Sequence, residues 1–269
     1  MKKSPLDHLL DWSGRILLTL ILGFVLLPFI VVLIASFNDS AILSFPPKSW
    51  SLRWYANAIE YRDFGKGLVN SLKIAAIGAT FAMIAGAGFA YVLNRYEFSL
   101  KTLLNSILMS PLIIPNFTIG LGLLILSTAA SLPRSIWLVI GVHVIIVLPF
   151  VVRSVYVSLQ NFERRYEQAA ESLGAAPLRV LLTITLPLLV PGLVSGALFA
   201  VILSFNEFTA SLFVVNQRTQ TFPVAMYNYV REYADPTLAA VSVIYVIVVA
   251  ALLLVVHKFF RLEKVLNVE

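Results

Sequence analysis

Six stretches of about 20 mostly apolar residues constrain this chain more than any other feature. A helix rises about 1.5 Å per residue, so each stretch can cross the roughly 30 Å hydrocarbon layer of a bilayer. With 59% hydrophobic and 13% charged residues and a mean hydropathy of +0.88, the 269 residues have too little polar surface for a soluble domain. We therefore predict an all-α membrane protein with six transmembrane helices. The predicted spans are Ile16–Ser36, Leu68–Leu93, Leu103–Ser127, Ile136–Val157, Leu186–Phe205 and Leu238–His257.

The basic residues of the loops predict the orientation of these spans. Six spans place both termini on one side, and that side carries twelve of the twenty Lys and Arg residues. Cytoplasmic loops carry an excess of Lys and Arg, so both termini and the loop of residues 158–185 are predicted to be cytoplasmic, and residues 37–66 periplasmic. The twelve are Lys2, Lys3, Arg15, Arg95, Lys101, Arg153, Arg164, Arg165, Arg179, Lys258, Arg261 and Lys264.

The spans also predict a division of the chain. Residues 1–67 form an N-terminal segment with the first span and a periplasmic loop, residues 68–257 form a core of five spans, and residues 258–269 form a cytoplasmic tail. The first span follows two lysines as a signal peptide would, but no small-residue cleavage site ends it, so we expect it to be retained. The basic residues form no stripe, which argues against nucleic acid as a partner.

Prolines interrupt the third predicted span. Pro111 and Pro115, followed by Asn116, predict an irregular stretch that lipid would not tolerate but a water-lined pathway would. The alternative is that prolines are simply commoner in membrane helices.

The loop of residues 158–185 (the 158–185 loop) has the pattern of a helix, a sharp turn and a second helix. Gly174 suits a left-handed position after a helix, and Pro177 suits the start of the next one. A helix lying on the lipid surface fits the same periodicity. The apolar residues that recur at helical spacing are Leu159, Phe162, Tyr166, Ala169, Ala170 and Leu173.

The spacing within this loop resembles the EAA loop of ATP-binding-cassette (ABC) importer permeases. Gln168-Ala169-Ala170, three residues, Gly174, nine residues and Ile184-Thr185-Leu186-Pro187 follow the family pattern, although Gln168 stands where the family has glutamate. In that family the loop is a coupling helix that docks on the ATPase. The resemblance therefore implies ATPase contacts from Glu167, Gln168, Ala169, Ala170, Glu171, Gly174 and Pro187.

The same resemblance implies the fold and the partners. The fold would be that of a type I importer permease in the bacterial inner membrane, with the coupling helix between spans four and five. The partners would be a homologous permease subunit, two ATPase subunits and a periplasmic solute-binding protein. Because the chain has no GxxxxGK[ST] phosphate loop, ATP and Mg²⁺ are expected on the ATPase, and the chain is expected to be no enzyme and to hold no cofactor.

Shorter motifs resemble the polyamine-type branch, specifically the second permease of spermidine/putrescine systems. They are Ser36-Phe37-Asn38-Asp39, Pro46-Pro47, Ser51-Leu52-Arg53-Trp54-Tyr55, Asn70-Ser71-Leu72 and Ser204-Phe205-Asn206-Glu207. The resemblance implies a small amine-bearing solute. Permeases for opines, aminoethylphosphonate and amino-acid-derived solutes are similar to the same branch, and these solutes stay open as alternatives.

Asn116, Asn206 and Glu207 are the candidates for the solute path. An ionisable residue at membrane depth is a functional candidate because its burial is costly, so Glu207 either faces the path and attracts an amine or lies at headgroup level. Polyamine permeases often have acidic residues where Asn116 and Asn206 stand. His143, within an apolar span, is expected to be a hydrogen-bonded packing residue rather than a proton relay.

No catalytic residue and no metal site are predicted. The chain has no cysteine, no HExxH pair and no GxSxG elbow, and no two carboxylates fall together within the spans. An ATP-independent secondary transporter is the alternative of a different class. It predicts buried charge pairs or an inverted repeat, and the sequence shows neither. A receptor-like scaffold would leave the Ala-Ala-Gly spacing unexplained.

Overall fold

The computed structural model describes residues 5–42 and 45–260, and this part of the chain is helical. A 3₁₀ turn at Ser110–Leu112 and a π-helical turn at Leu181–Thr185 lie between helices. No strand forms in the described ranges, where Asn38 and Trp50 make an isolated bridge. The helices are α1 (Pro5–Ala35), α2 (Arg53–Glu60), α3 (Arg62–Arg95), α4 (Lys101–Met109), α5 (Asn116–Ala129), α6 (Ile136–Gln160), α7 (Arg165–Ser172), α8 (Pro177–Val180), α9 (Leu186–Leu188), α10 (Val190–Phe205), α11 (Ser211–Val214), α12 (Phe222–Glu232) and α13 (Thr237–Phe260).

Four helices in the described ranges are long and apolar enough to cross a membrane. They are Trp12–Ala35 within α1, all of α3, all of α6, and Thr237–Val255 within α13. Two bent pairs meet the same criteria when taken together, Lys101–Leu112 with Asn116–Ala129 and Pro177–Leu188 with Val190–Phe205. The described residues therefore contain six spans if each bent pair counts as one.

The third predicted span, Leu103–Ser127, is not a continuous helix but a bent pair of helices. The two halves of the pair meet at 105°. Pro115 has a polyproline-like backbone (φ −56°, ψ 136°) directly before α5, and neither it nor Pro111 has a backbone N–H to donate. The irregular stretch predicted from these prolines is confirmed, with a sharper bend than a kinked helix would give.

The fifth predicted span begins earlier than Leu186. Helical structure runs from Pro177 through the π-helical turn to Leu188 and then bends by 67° into α10. Pro187 and Pro191 flank this bend, where each removes a backbone donor. The second helix of the 158–185 loop is thus continuous with the helical segment that leads into α10.

The described residues fall into two compact units, one from the start of the chain to Tyr61 with Asn228–Val248, and one from Arg62 to Tyr227 with the residues from Val249. The sequence-based division at residues 67 and 257 stays a prediction. Of the predicted tail, residues 261–269 lie outside the described ranges.

In the second unit α3, α6 and α10 pack together through small residues. On α3 the residues Gly78, Ala82, Gly86 and Ala90 repeat at every fourth position and are buried. A Cβ added at Gly86 would lie 2.7 Å from Cγ1 of Val151 on α6. Small residues let helix backbones approach closely, which is how helices associate in a bilayer without a hydrophobic driving force.

In the first unit buried hydrogen bonds tie the segment after α1 to its neighbours. Ser36 and Tyr55 share a hydrogen bond of 2.7 Å between their hydroxyls, and the indole N–H of Trp54 donates to the carbonyl oxygen of Asn38 at 2.6 Å. Asn57 on α2 donates to the hydroxyl of Thr237 at 2.8 Å. Because these polar groups are buried or partly buried and each has a partner, their hydrogen bonds offset the cost of removing them from water.

Candidate functional site

The 158–185 loop contains the helix, turn and helix that its sequence predicts. α7 ends in a Schellman motif, in which the N–H of Ala175 donates to the carbonyl of Ala170 at 3.0 Å and the N–H of Gly174 to that of Glu171 at 2.9 Å. Gly174 has φ +85°, a conformation that a side chain would strain. Pro177 is the first residue of α8. The predicted backbone conformation of Gly174 and the predicted helix start at Pro177 are confirmed.

The apolar run that begins at Leu159 is not one helix, which corrects the sequence interpretation. Leu159 belongs to the last turn of α6 and is buried, and residues 161–164 separate α6 from α7. Phe162, in this separating turn, stacks on Tyr166 with ring centroids 5.9 Å apart. The apolar residues keep helical spacing on both sides of this turn, so their pattern does not reveal that the helix is interrupted.

α7, the turn after it and the start of α8 expose several apolar side chains. Leu173 is 90% exposed and Leu178 is 66% exposed, and half of Tyr166 is exposed. Large apolar side chains exposed on a short helical segment are typical of a site that another protein covers. The other predicted coupling residues that are exposed are Gln168, Ala169, Glu171, Gly174 and, in α9, Pro187, whereas Ala170 is partly buried.

Glu167 differs from the other predicted coupling residues because its side chain is buried. Its Oε1 accepts a hydrogen bond of 2.9 Å from Nη2 of Arg95, the last residue of α3, and one of 2.6 Å from the hydroxyl of Thr185. The ion pair is largely shielded, with side chains 6% exposed for Arg95 and 11% for Glu167. Of the predicted coupling residues on α7, the polar ones that are exposed are therefore Gln168 and Glu171.

Sequence reasoning missed Arg95 and Thr185. Arg95 lies 72 positions from Glu167, and Thr185 lies 18 positions from it. Thr185 stands within the matched loop motif, but at a position that the motif leaves free. The sequence did show that Arg95 follows a predicted span on the same predicted side as the 158–185 loop. That position alone does not show which residue Arg95 pairs with.

Glu207 and Asn116, both predicted for the solute path, contact each other. Nδ2 of Asn116 donates to Oε2 of Glu207 at 2.7 Å, and the backbone N–H of Ala210 donates to Oε1 at 2.6 Å. Glu207 is buried within the chain. Asn206 beside it is exposed, and its amide donates to the carbonyl of Ile202.

The electrostatic setting of Glu207 has opposing influences. Glu207 follows α10 and so lies outside that helix. Burial raises the pKa of its carboxyl group. The hydrogen bonds from Ala210 and Asn116 favour the carboxylate and lower the pKa in part. A cation that approached this carboxylate would add a further preference for the charged form.

His143 belongs to the same hydrogen-bond network as Glu207. Its Nδ1 is 2.8 Å from the hydroxyl of Ser204, and its Nε2 is 2.9 Å from the hydroxyl of Ser211, which in turn donates to the carbonyl of Glu207. Both ring nitrogens are thus engaged by hydroxyl groups while the ring is buried. The expectation that His143 is a hydrogen-bonded packing residue is confirmed.

An open groove of about 900 Å³ lies between α6 and α10 next to the 158–185 loop. Its wall mixes aromatic rings, including Phe150 and Phe199, with the hydroxyls of Ser154, Ser158 and Ser195. Small-molecule sites commonly combine apolar walls with a few polar groups. Among the described residues, no group of three or more His, Cys, Asp or Glu side chains is placed to hold a metal ion.

Comparison with known proteins identifies relatives over most of the chain. The family model for the binding-protein-dependent transport system inner membrane component matches residues 78–262. The chain is 28% identical over 235 residues to the spermidine/putrescine transport system permease protein PotC of Escherichia coli strain K12, covering 86% of this chain and 89% of the relative. It is 32% identical over 235 residues to the putrescine transport system permease protein PotI of the same strain, covering 83% and 82%.

The fold is also similar to a solved structure. A chain in the crystal structure of a bacterial ABC transporter involved in the import of the acidic polysaccharide alginate superposes with a TM-score of 0.75. The match covers 97% of this chain and 99% of that one at 17% sequence identity. At this identity the similarity concerns the fold.

Proposed function

Because the chain belongs to the family of binding-protein-dependent transport system inner membrane components, we propose that it carries a small amine of the spermidine/putrescine type into the cytoplasm as one subunit of its importer. In this proposal the chain pairs with a homologous permease, and solute selection rests largely on a periplasmic binding protein. Two ATPase subunits bind ATP and Mg²⁺ and perform the hydrolysis. Both termini and the 158–185 loop face the cytoplasm.

The observation that carries the ATPase contact is the exposed surface of α7. Tyr166 on α7 and Leu173 directly after it are exposed to solvent. The exposed residues beside them are Gln168, Ala169 and Glu171. Gly174, in its left-handed conformation, ends the helix. Exposed apolar side chains are stabilised when a partner removes them from water. Ala169 permits close approach of the partner backbone, and Gln168 and Glu171 supply polar contacts at the edge.

In this mechanism α7 moves with the ATPase. Closure of the ATPase dimer on ATP draws the two coupling helices together, the spans rock, and the pathway opens outward to receive solute. Hydrolysis resets the arrangement. The bends at Pro115 and between α9 and α10 are the candidate flexible elements, because each interrupts the backbone hydrogen bonds of a span.

The amine solute is supported by Glu207 and its neighbours. Glu207 is a buried carboxylate beside Asn116, and Asn206 is exposed next to it. A fixed anion offsets part of the hydration that an ammonium group loses on leaving water. The permeases PotC and PotI, to which the chain is similar, are named for polyamines.

Reconstitution tests the proposal. The chain is purified with its partner subunits and incorporated into liposomes with its binding protein, and uptake of labelled putrescine, spermidine and 2-aminoethylphosphonate is measured with and without internal ATP. We expect ATP-dependent uptake of a polyamine and co-purification of an ATPase. Uptake without ATP would instead support a secondary transporter, and ATP-dependent uptake of the phosphonate alone would reject the polyamine.

A further inference from the structure

The carboxylate of Glu167 is the point at which three segments of the second unit meet. Its Oε1 accepts a hydrogen bond of 2.9 Å from Nη2 of Arg95, which ends α3. The same oxygen accepts a hydrogen bond of 2.6 Å from the hydroxyl of Thr185, which belongs to the π-helical turn. Glu167 itself belongs to α7. We call Arg95, Glu167 and Thr185 the Glu167 cluster. A single oxygen atom thus links the exposed helix to the end of one span and to the helical segment that leads into another.

Burial distinguishes this ion pair from its neighbours. The side chains of Arg95 and Glu167 are 6% and 11% exposed, whereas Glu97 in the nearby pair with Lys101 is 87% exposed. Exposed pairs are screened by water and contribute little, but removing one partner of a buried pair leaves an uncompensated charge. The Glu167 cluster therefore resists separation far more than a surface contact does.

Two further contacts hold the loop to the end of α3. Nη2 of Arg164 donates to the carbonyl oxygen of Arg95 at 3.3 Å, and the guanidinium carbon of Arg95 lies 5.6 Å from the centre of the Phe162 ring. Arg164 and Phe162 belong to the turn between α6 and α7. Residues 161–164 are not helical, so these contacts limit the rotation of α7 about the turn.

We propose that Glu167 is a positioning residue that transmits the displacement of α7 to α3 and α10 through Arg95 and Thr185. The inference rests on the proposed function, in which α7 docks on an ATPase. Force applied at the exposed surface of α7 moves the spans only if α7 cannot rotate about residues 161–164. The buried cluster supplies that constraint, while Gln168 and Glu171 remain free to face the partner.

The test uses the assembled complex in liposomes and measures both solute uptake and ATP hydrolysis stimulated by the binding protein. Glu167→Gln removes the charge and keeps the shape of the side chain. We expect the number of ATP molecules hydrolysed per solute imported to rise about tenfold, within the usual range of coupling between sites. Exchange of the charges in Arg95→Glu with Glu167→Arg is expected to restore part of the ratio. Glu97→Gln, which breaks the exposed pair with Lys101, serves as the matched control.

The outcomes separate transmission from a structural role. If uptake and ATP hydrolysis fall in parallel with the amount of assembled complex, the residue only maintains the fold and the inference is rejected. It is also rejected if Glu167→Gln keeps the wild-type ratio. Thr185→Val, a milder change, must raise the ratio as well, and it decides the matter should Glu167→Gln fail to assemble. If the wild-type complex shows no ATP-driven uptake, the proposed function fails instead.

Discussion

The side-chain amide of Asn116 donates a hydrogen bond of 2.7 Å to the carboxylate of Glu207, although the two residues lie 91 positions apart. The bond joins the start of α5, just after the 105° bend, to the turn that follows α10. Two interruptions of regular helix are therefore held together by a polar contact. This arrangement gives the carboxylate a fixed position in a part of the chain where the backbone itself is irregular.

Glu207→Gln is expected to lower amine uptake roughly tenfold, because a hydrogen bond to a charged group contributes about 1.5–3 kcal/mol. The substitution is mild for the fold. The glutamine oxygen can still accept from the N–H of Ala210, and the amide of Asn116 can turn to offer its oxygen to the new amide. Uptake by the reconstituted complex is the measurement.

The control for this variant is Glu232→Gln, which removes an exposed carboxylate at the end of α12. Both variants should assemble normally and leave the affinity of the binding protein unchanged. Wild-type uptake by Glu207→Gln would remove Glu207 from the solute path.

Acidification is expected to reduce uptake through Glu207. Burial raises the pKa of this carboxyl group, so on lowering the pH it takes up a proton earlier than an ordinary glutamate does. The amine stays protonated throughout this range, because its pKa is near that of lysine, about 10. Uptake measured against external pH at saturating binding protein should fall on the acid side, and Glu207→Gln should show a flatter profile. Identical profiles would contradict the assignment.

Gly174→Val is expected to uncouple ATP hydrolysis from uptake without preventing membrane insertion. The backbone at this position has φ +85°, where a non-glycine residue costs roughly 1–2 kcal/mol and a β-branched one more. Gly174→Asn is the matched variant, because asparagine tolerates the left-handed conformation. We expect uptake to fall in the valine variant and to stay near wild type in the asparagine variant. Equal uptake by the two would show that the turn geometry does not matter.

Gly86→Ala is expected to destabilise the chain by roughly 1–3 kcal/mol, the usual cost of overpacking a filled interior. The added Cβ would lie 2.7 Å from Cγ1 of Val151, which is fully buried. Gly88 on the same helix has no atom within 4 Å of an added Cβ, so Gly88→Ala should be neutral or slightly stabilising. Melting temperatures in detergent compare the two. Equal values would contradict the packing of α3 on α6.

Cysteine labelling checks the predicted orientation, since the chain has no cysteine of its own. Ser49 and Ser172 are both exposed, so accessibility within the chain does not bias the result. In intact cells a cysteine at position 49 should react with an impermeant maleimide, and one at position 172 should react only after the membrane is permeabilised. The reverse pattern would invert the topology.

Local chemistry explains why some features were predictable from sequence. Gly174 and Pro177 each have a backbone preference that suits one position at a helix end, and the structure places them there. Pro111 and Pro115 predict a break for the same reason. They do not predict an angle of 105°, because a missing donor fixes where a helix ends and not the direction that the chain takes afterwards.

The side-chain contacts were less predictable. Asn116 and Glu207 were both assigned to the solute path, but their hydrogen bond depends on how α5 packs, which no local pattern encodes. The contact between Glu167 and Arg95 likewise joins distant positions of the chain. The helical spacing of the apolar residues in the 158–185 loop leaves Glu167 among the polar positions, because periodicity registers polarity and not whether a charge has a partner inside the fold.

The 158–185 loop is consequently not a transferable module. A chimera that receives this segment from a relative inherits Glu167 or its replacement, but position 95 comes from the host, and a mismatch leaves one charge buried without its counterpart at a cost of about 3–5 kcal/mol. Residues 95 and 167 are therefore expected to be exchanged together or not at all. Any redesign that redirects this permease to a different ATPase has to treat the end of α3 as part of the piece it replaces.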